Sequence, residues 1–117
     1  MEENNGYKII EKPWGYEQIL NIDGEGNCVK NLVINGGEKV SLQAHQKRTE
    51  EWYIRYGKCE IEINKAIFKA LPYTVWIINP GDIHRITAIT DTVIREISSG
   101  YEENDIIRYK DEYGRAA

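Results

Sequence analysis

Histidine and cysteine are scarce in this sequence, which holds two of each among its 117 residues. Cys28 and Cys59 have neither the close spacing of a zinc knuckle nor a CxxC partner, so we expect reduced thiols in or near the core. No apolar run approaches the roughly 20 residues that a membrane span needs, and the first residues lack the basic and apolar regions of a signal peptide. These absences predict a cytoplasmic protein with no membrane segment.

An excess of positive charge is also missing. Lysine and arginine total 15 against 19 acidic residues, a formal net charge of −4, whereas a nucleic-acid-binding domain carries a basic stripe. We therefore expect no nucleic-acid partner, although this net charge does not exclude a local basic pocket. A chain of this length fits one domain, residues 1–117, with a core that needs no disulfides.

What the sequence does contain is a series of short runs rich in Val, Ile, Tyr and Trp, each followed by a turn signal. The predicted strands are 16–22, 28–34, 39–45, 50–56, 58–63, 66–70, 74–78, 83–88 and 92–98. Helical periodicity is absent from this body, and only residues 102–113 are expected to form an irregular or helical tail. Many short, evenly spaced strands indicate an all-β fold, an antiparallel sandwich or barrel.

Four polar residues form a candidate metal site. Gln43 and His45 are two residues apart, so they share one face of a predicted strand. Glu50 opens the next strand, and His84 follows the Pro80-Gly81 turn. An amide, two imidazoles and a carboxylate suit one divalent metal such as zinc, manganese, iron, nickel or cobalt. The alternative is that each histidine is a partly buried polar residue with a single hydrogen bond.

These spacings resemble the cupin family, whose first motif has a glycine turn, an HxH pair, a glutamate and a later glycine. The matching positions are Gly37, His45, Glu50 and Gly57, and residues 79–84 resemble the second motif. Lys47 stands where the second histidine of the HxH pair is expected. The resemblance therefore implies a jelly-roll β-barrel in which Gln43 substitutes for that histidine as a ligand.

A narrower resemblance is to the cupin domain of type II mannose-6-phosphate isomerases. It covers residues 8–115 and is carried by 12–17, 41–52, 83–85 and 104–115. It implies an aldose–ketose isomerase for mannose 6-phosphate and fructose 6-phosphate, in GDP-mannose or surface-polysaccharide metabolism. In that family the domain is commonly the C-terminal half of a bifunctional protein. Nothing here resembles a nucleotidyltransferase, so we expect a stand-alone version.

Such an isomerase moves a proton between C2 and C1 of the sugar and needs a cation for the phosphate. The candidates for binding the phosphate or sugar are Lys47, Arg48, Arg85 and Arg115. The candidate catalytic residues are Lys47, Arg85 and Glu96, with Glu62 as a further candidate base. Lys47 would act as a base if burial lowered its pKa.

Each assignment has a structural alternative. For Arg48, an ion pair with Glu50 or Glu51 is equally expected. For Arg115, the alternative is a solvated residue of the tail. The three tryptophans supply large apolar area to a small core, so we expect Trp14, Trp52 and Trp76 to be structural.

Competing functions remain open at this point. One is a cupin that binds a metal or a sugar without catalysis, and another is an isomerase or epimerase of a nucleotide-linked sugar. A metal-dependent oxygenase fits less well, because such enzymes usually use more imidazole ligands. An antiparallel barrel often has an exposed strand edge, and C2 symmetry is the commonest arrangement, so we expect a homodimer.

Overall fold

The computed structural model describes residues 8–23, 25–102, 104–110 and 112, and its regular secondary structure there consists of strands. The strands are β1 (Lys8–Lys12), β2 (Gly15–Ile22), β3 (Cys28–Ile34), β4 (Leu42–Ala44), β5 (Thr49–Tyr56), β6 (Cys59–Ile63), β7 (Ala66–Ala70), β8 (Val75–Ile78), β9 (His84–Ala88), β10 (Thr92–Ser99) and β11 (Ile107–Lys110). Over these ranges, no helix has the length and apolar character to cross a membrane.

The strands form two antiparallel sheets packed as a jelly roll. The six-stranded sheet has the order β1-β2-β3-β10-β5-β8, and the five-stranded sheet has the order β11-β4-β9-β6-β7. The barrel is not closed, since each sheet keeps two edge strands. The expected all-β antiparallel jelly roll is confirmed.

Strict alternation explains how the sheets share a core. In β3 every second residue from Cys28 to Ile34 is buried, and β10 buries the alternate positions from Thr92 to Ser98. The core cluster contains Ile34, Ile54, Ile61 and Ile94, among others. Fully burying each such side chain contributes roughly 1.5–3 kcal/mol. The apolar face therefore fixes the register of each strand.

The cysteines and tryptophans lie where the sequence predicted. Cys28 and Cys59 are fully buried free thiols, and burial raises the pKa of Cys59 to about 11. Trp14 and Trp52 are buried in the core, and Trp76 packs against it. The thiols are therefore protonated, unreactive parts of the packing at neutral pH.

Three elements differ from the sequence expectation. The tail contains a strand, β11, instead of a helical turn, because its backbone pairs with the edge of β4. β1 was not predicted, and it pairs with β2 along its whole length. β4 ends at Ala44, so the strand expected over residues 39–45 is shorter.

Candidate metal centre and its cavity

A cavity of about 330 Å³ lies between the two sheets, within the size range of small-molecule sites. Its lining comes from both sheets and includes the edge strands β1 and β11. The polar residues that line it are Lys8, Lys12, Glu17, Lys30, Ser41, Gln43, His45, Arg48, Glu50, Glu96, Tyr101 and Arg108. Positively and negatively charged side chains therefore converge on one cavity.

His45, Glu50 and His84 come together, and the first two line this cavity. Their potential ligand atoms all lie within 4.8 Å of one another. The Nε2 atom of His45 is 3.3 Å from one Glu50 oxygen, and the Nε2 atom of His84 is 3.8 Å from the other. Each of the three residues is 2 % exposed or less. Three groups that were distant in sequence thus form one buried cluster.

The hydrogen bonds of the two histidines fix their tautomers. Nδ1 of His45 contacts the carbonyl oxygen of Asp105, and Nδ1 of His84 contacts that of Asp82 at 2.8 Å. A carbonyl oxygen only accepts, so each Nδ1 carries a proton, and the neutral form of each ring has its lone pair on Nε2, facing Glu50. Pinning the remote nitrogen in this way is the usual support for a metal-bound histidine.

The Nε2 atoms of His45 and His84 indicate whether a metal would fit this cluster. Both Nε2 atoms are buried, and neither has a hydrogen-bond partner. A lone pair that faces a carboxylate in the interior is unfavourable unless a cation lies between them. Burial lowers the pKa of His84 despite the opposing charge of Glu50, which favours the neutral, metal-binding imidazole. The donor set therefore fits a divalent metal with nitrogen and oxygen ligands.

Glu50 is held in place as an ionised carboxylate. Its two oxygens accept hydrogen bonds from Arg48 at 2.8 Å and from the indole of Trp52 at 2.9 Å. Burial opposes ionisation, but the neighbouring His45 and His84 and the Arg48 guanidinium outweigh it and lower the pKa of Glu50 to about 2. Arg48 therefore forms the structural ion pair given as the alternative in the sequence, while still lining the cavity.

Gln43 lies beside this cluster. It is the register partner of His84 across the β4–β9 pair, and partners directly opposite each other share one face of a sheet. Its side-chain oxygen accepts a hydrogen bond from Ser41 at 3.0 Å, which leaves one lone pair for another partner. Ligation by Gln43 stays a prediction.

A second polar cluster faces the same cavity. The ammonium of Lys30 lies 3.3 Å from Glu17 and 3.8 Å from Glu96. Burial and the charge of Glu50 raise the pKa of Glu96 to about 7, against the attraction of Lys30 and Arg48. One oxygen of Glu96 is buried without a hydrogen-bond partner. A carboxyl group with these properties is suited to proton transfer near neutral pH.

Lys47 is placed outside the cavity. We expected it to share a face with Gln43 and His45 if the strand continued, but β4 ends at Ala44. Its ammonium instead bonds to the Glu102 carboxylate at 3.1 and 3.2 Å, and its side chain is 65 % exposed. The structure does not bring Lys47 to the candidate site.

The side chains of Arg85 and Glu62 also lie away from the cavity. Side chains alternate along a strand, so Arg85 points away from the face that holds His84. Its guanidinium donates to the carbonyls of Val40 and Lys110. Glu62 is the register partner of Arg85 and shares its outward face. Neither residue lines the cavity, and Arg115 lies outside the described residues.

Five charged residues of the cavity were missed in the sequence: Lys8, Lys12, Glu17, Lys30 and Arg108. A signal for Lys30 was present, because it occupies an inward position between Cys28 and Leu32 in a strand that was correctly bounded. Arg108 was missed because the tail was expected to be irregular or helical, which hides the alternation of a strand.

A jelly roll with an imidazole and carboxylate cluster between its sheets is the architecture of a cupin, and solved cupins share this fold. An RmlC-like cupin from Shewanella frigidimarina has a TM-score of 0.77 at 14 % identity, over 88 % of this chain and 92 % of that one. The capsular polysaccharide assembling protein CapF from Staphylococcus aureus has a TM-score of 0.78 at 15 % identity, over 92 % of this chain and 33 % of that one.

The chain belongs to the family described as mannose-6-phosphate isomerase C-terminal, which matches residues 1–111. The mannose-1-phosphate guanylyltransferase ManC of Salmonella typhimurium is 30 % identical over 97 % of this chain and 24 % of its own length. The alginate biosynthesis protein AlgA of Pseudomonas putida is 28 % identical over 98 % of this chain and 24 % of its own length. The chain spans about a quarter of the length of these curated relatives.

Proposed function

We propose that the chain is a metal-dependent aldose–ketose isomerase domain acting on a phosphorylated sugar, with mannose 6-phosphate and fructose 6-phosphate as the substrate pair. Membership of the family supports this, as do relatives whose names concern mannose 1-phosphate and polysaccharide synthesis. The observation that carries the proposal is that His45 and Glu50, two members of the buried His45–Glu50–His84 cluster, line the same cavity as a protonatable Glu96.

The metal site would consist of His45, Glu50 and His84, with Gln43 as the fourth ligand. A divalent ion bound there would supply Lewis-acid stabilisation of the negative charge that develops on the sugar oxygens. Arg48 and Trp52 hold the Glu50 carboxylate through both oxygens, and the Asp105 and Asp82 carbonyls orient the imidazoles. These contacts keep the ligand atoms close together before an ion arrives.

Glu96 is the proposed proton carrier. Its ionised form would take the proton from C2 of the aldose, and the resulting acid would return that proton to C1. A pKa of about 7 leaves both forms populated near neutral pH. Lys30 stays charged beside it, because Glu96 and Glu17 more than offset the cost of burying that ammonium.

The proposal is tested by a coupled isomerase assay on the chain loaded in turn with each candidate divalent metal. We expect turnover of mannose 6-phosphate that falls about 10²- to 10⁴-fold in Glu96→Gln, the usual contribution of a general acid–base group. Glu60→Gln is the matched control, because Glu60 is an exposed carboxylate on β6. A folded, metal-loaded chain without turnover would refute the isomerase.

The second candidate is a cupin that binds a metal or sugar without catalysis. It is favoured by Lys47, which stands where the second histidine of the HxH pair is expected and whose ammonium bonds to Glu102 outside the cavity. Binding of sugar phosphate without conversion in the assay above would support it. Conversion of a nucleotide-linked sugar instead would support the isomerase or epimerase alternative.

A further inference from the structure

The open side of the barrel carries a cluster of positive charge. β1 and β11 are edge strands of the two different sheets, and both line the cavity. Lys8 and Lys12 come from β1, where they share a face because they are four residues apart. Arg108 comes from β11. Lys8 is exposed, whereas Lys30 is buried, so the β1 side is the solvent-facing end of the cavity.

Among these cations, Arg108 has a hydrogen-bond donor that is not satisfied. Its Nε atom is buried and has no hydrogen-bond partner. Across residues 8–23, 25–102, 104–110 and 112, no carboxylate forms an ion pair with it. A buried guanidinium nitrogen left unpaired is costly, and the cost is removed when an anion binds. Arg48 also has a buried Nε atom without a hydrogen-bond partner, but Arg48 and Lys30 both have carboxylate partners.

The position of Arg108 relative to the metal cluster is set by strand pairing. Arg108 is the register partner of Gln43, and Gln43 is the register partner of His84. The three residues therefore form a row across β11, β4 and β9 on one face of the sheet. Neighbouring strands are about 4.8 Å apart, so the backbones of Arg108 and His84 are separated by about 10 Å. A small sugar can bridge this span.

We propose that Arg108, supported by Lys8 and Lys12, is the subsite for the phosphate group of a sugar monophosphate whose other end lies at His45, Glu50 and His84. The inference rests on the proposed function for the identity of the sugar, while the anion subsite follows from the row of residues itself. A guanidinium fits a phosphate through two parallel hydrogen bonds. The local positive charge contrasts with the formal net charge of −4 of the whole chain.

The contacts of Arg85 explain how β11 is held over the cavity. Its guanidinium donates to the backbone carbonyl of Lys110 at 3.2 Å and lies 3.3 Å from the carboxylate of Glu112. It also donates to the carbonyl of Val40, just before β4. Arg85 therefore fastens the end of β11 from the outer face, which makes it a positioning residue for Arg108.

The test is calorimetric titration of the metal-loaded full chain with inorganic phosphate, mannose 6-phosphate and unphosphorylated mannose. We expect Arg108→Gln to weaken mannose 6-phosphate binding about 10- to 100-fold, as for loss of a charged hydrogen bond, and to leave the weaker binding of mannose unchanged. Arg108→Lys should lose part of the affinity, because it keeps the charge without the paired geometry. Arg55→Gln, on an exposed position of β5, is the control.

The outcomes separate this inference from the proposed function. Equal phosphate affinity in the wild type and in Arg108→Gln, with both proteins folded by thermal melting, overturns the subsite. A sugar carboxylate that competes as well as the phosphate ester also overturns it. Phosphate binding that depends on Arg108 in a chain without isomerase turnover supports the subsite and refutes only the isomerase.

Discussion

Glu96 combines burial, an unsatisfied oxygen and a neighbouring cation, and this combination has a consequence for stability. Its pKa is raised from 4.5 to about 7 by burial first and then by the charge of Glu50. The native protein therefore holds this proton more tightly than the unfolded chain does. The resulting stability is full below about pH 4.5 and is lost as the pH rises through about 7.

Glu96→Gln should remove this dependence, because glutamine stays neutral throughout. As the pH rises from about 4.5 to about 8, we expect the free energy of unfolding of the wild type to fall relative to that of the variant. The difference should be on the order of 1–3 kcal/mol. Urea unfolding at several pH values measures the difference. If the two pH curves run parallel, Glu96 does not titrate in this window.

The sequence predicted the His45–Glu50–His84 cluster because the spacing of these residues matches their positions on neighbouring strands. His45 and Glu50 were named from strand placement and the spacing of the first motif, and His84 from the turn of the second; the three are found together. Lys47 and Arg85 were expected in the site but lie outside it. A strand that ends earlier than expected, or a shift of one residue in the alternation, moves a side chain to another face of the sheet. The pairing of Lys30 with Glu96 joins β3 to β10, and no local pattern predicts such a contact.

Among the elements, the segment before β11 supports the metal cluster most directly. The Asp105 carboxylate accepts hydrogen bonds from the backbone amides of Gln46 and Lys47, at 2.8 and 2.9 Å. Its carbonyl oxygen contacts Nδ1 of His45. The tail thus fixes both the loop after β4 and the orientation of a proposed ligand.

Asp105→Ala should therefore loosen His45 without touching the metal ligands. The alanine keeps the carbonyl that contacts His45 but loses the carboxylate that ties residue 105 to the loop, so we expect metal affinity to fall about 10-fold, the lower end of the cost of losing an outer-shell partner. Competition with a chromogenic chelator measures the affinity. Glu102→Ala is the matched control, since the Glu102 side chain bonds to the exposed ammonium of Lys47 and, within the described part of the chain, to no other side chain. An unchanged affinity in Asp105→Ala would show that the tail does not support the site.

Strand boundaries were predictable where the alternation of apolar residues or the turn residues gave a strong signal. They were not predictable where only pairing with a distant strand determines whether a strand forms. The predicted bounds of β3 and β7 agree with the structure, because both runs end at clear turn signals. β11 is only four residues long and gains its backbone hydrogen bonds from β4. Its sequence also permits a helical turn, and long-range pairing overrides that local preference.

At the level of the whole molecule, the homodimer stays a prediction. The edge strands β7 and β8, on the side away from β1 and β11, expose apolar side chains. They include Ile67, Phe68, Val75 and Ile77, all more than 40 % exposed. An apolar surface beside two open strand edges is a typical site of association.

We expect light scattering to show a dimer, and Ile67→Lys combined with Ile77→Lys to convert it to a monomer, because buried lysines would repel across the interface. Ile9→Lys serves as the control, since Ile9 is a half-exposed apolar residue on the opposite edge strand β1. A wild-type chain that remains monomeric at high concentration would contradict the expectation.

The architecture was predictable because composition, strand count and turn spacing all point to one fold. The cavity contents were only partly predictable, since they depend on which strands from the two sheets face each other. That pairing brings Glu17, Lys30 and Arg108 beside residues that the motif had already identified.

The most direct test of the account is the stoichiometry of divalent metal, measured by elemental analysis of the dialysed chain and of its His45→Ala and His84→Ala variants. The account predicts about one metal ion per wild-type chain, and loss of that ion in both variants while the fold is retained by circular dichroism. A wild-type chain that binds no divalent metal, or variants that keep it undiminished, would contradict the metal centre on which the proposed function depends.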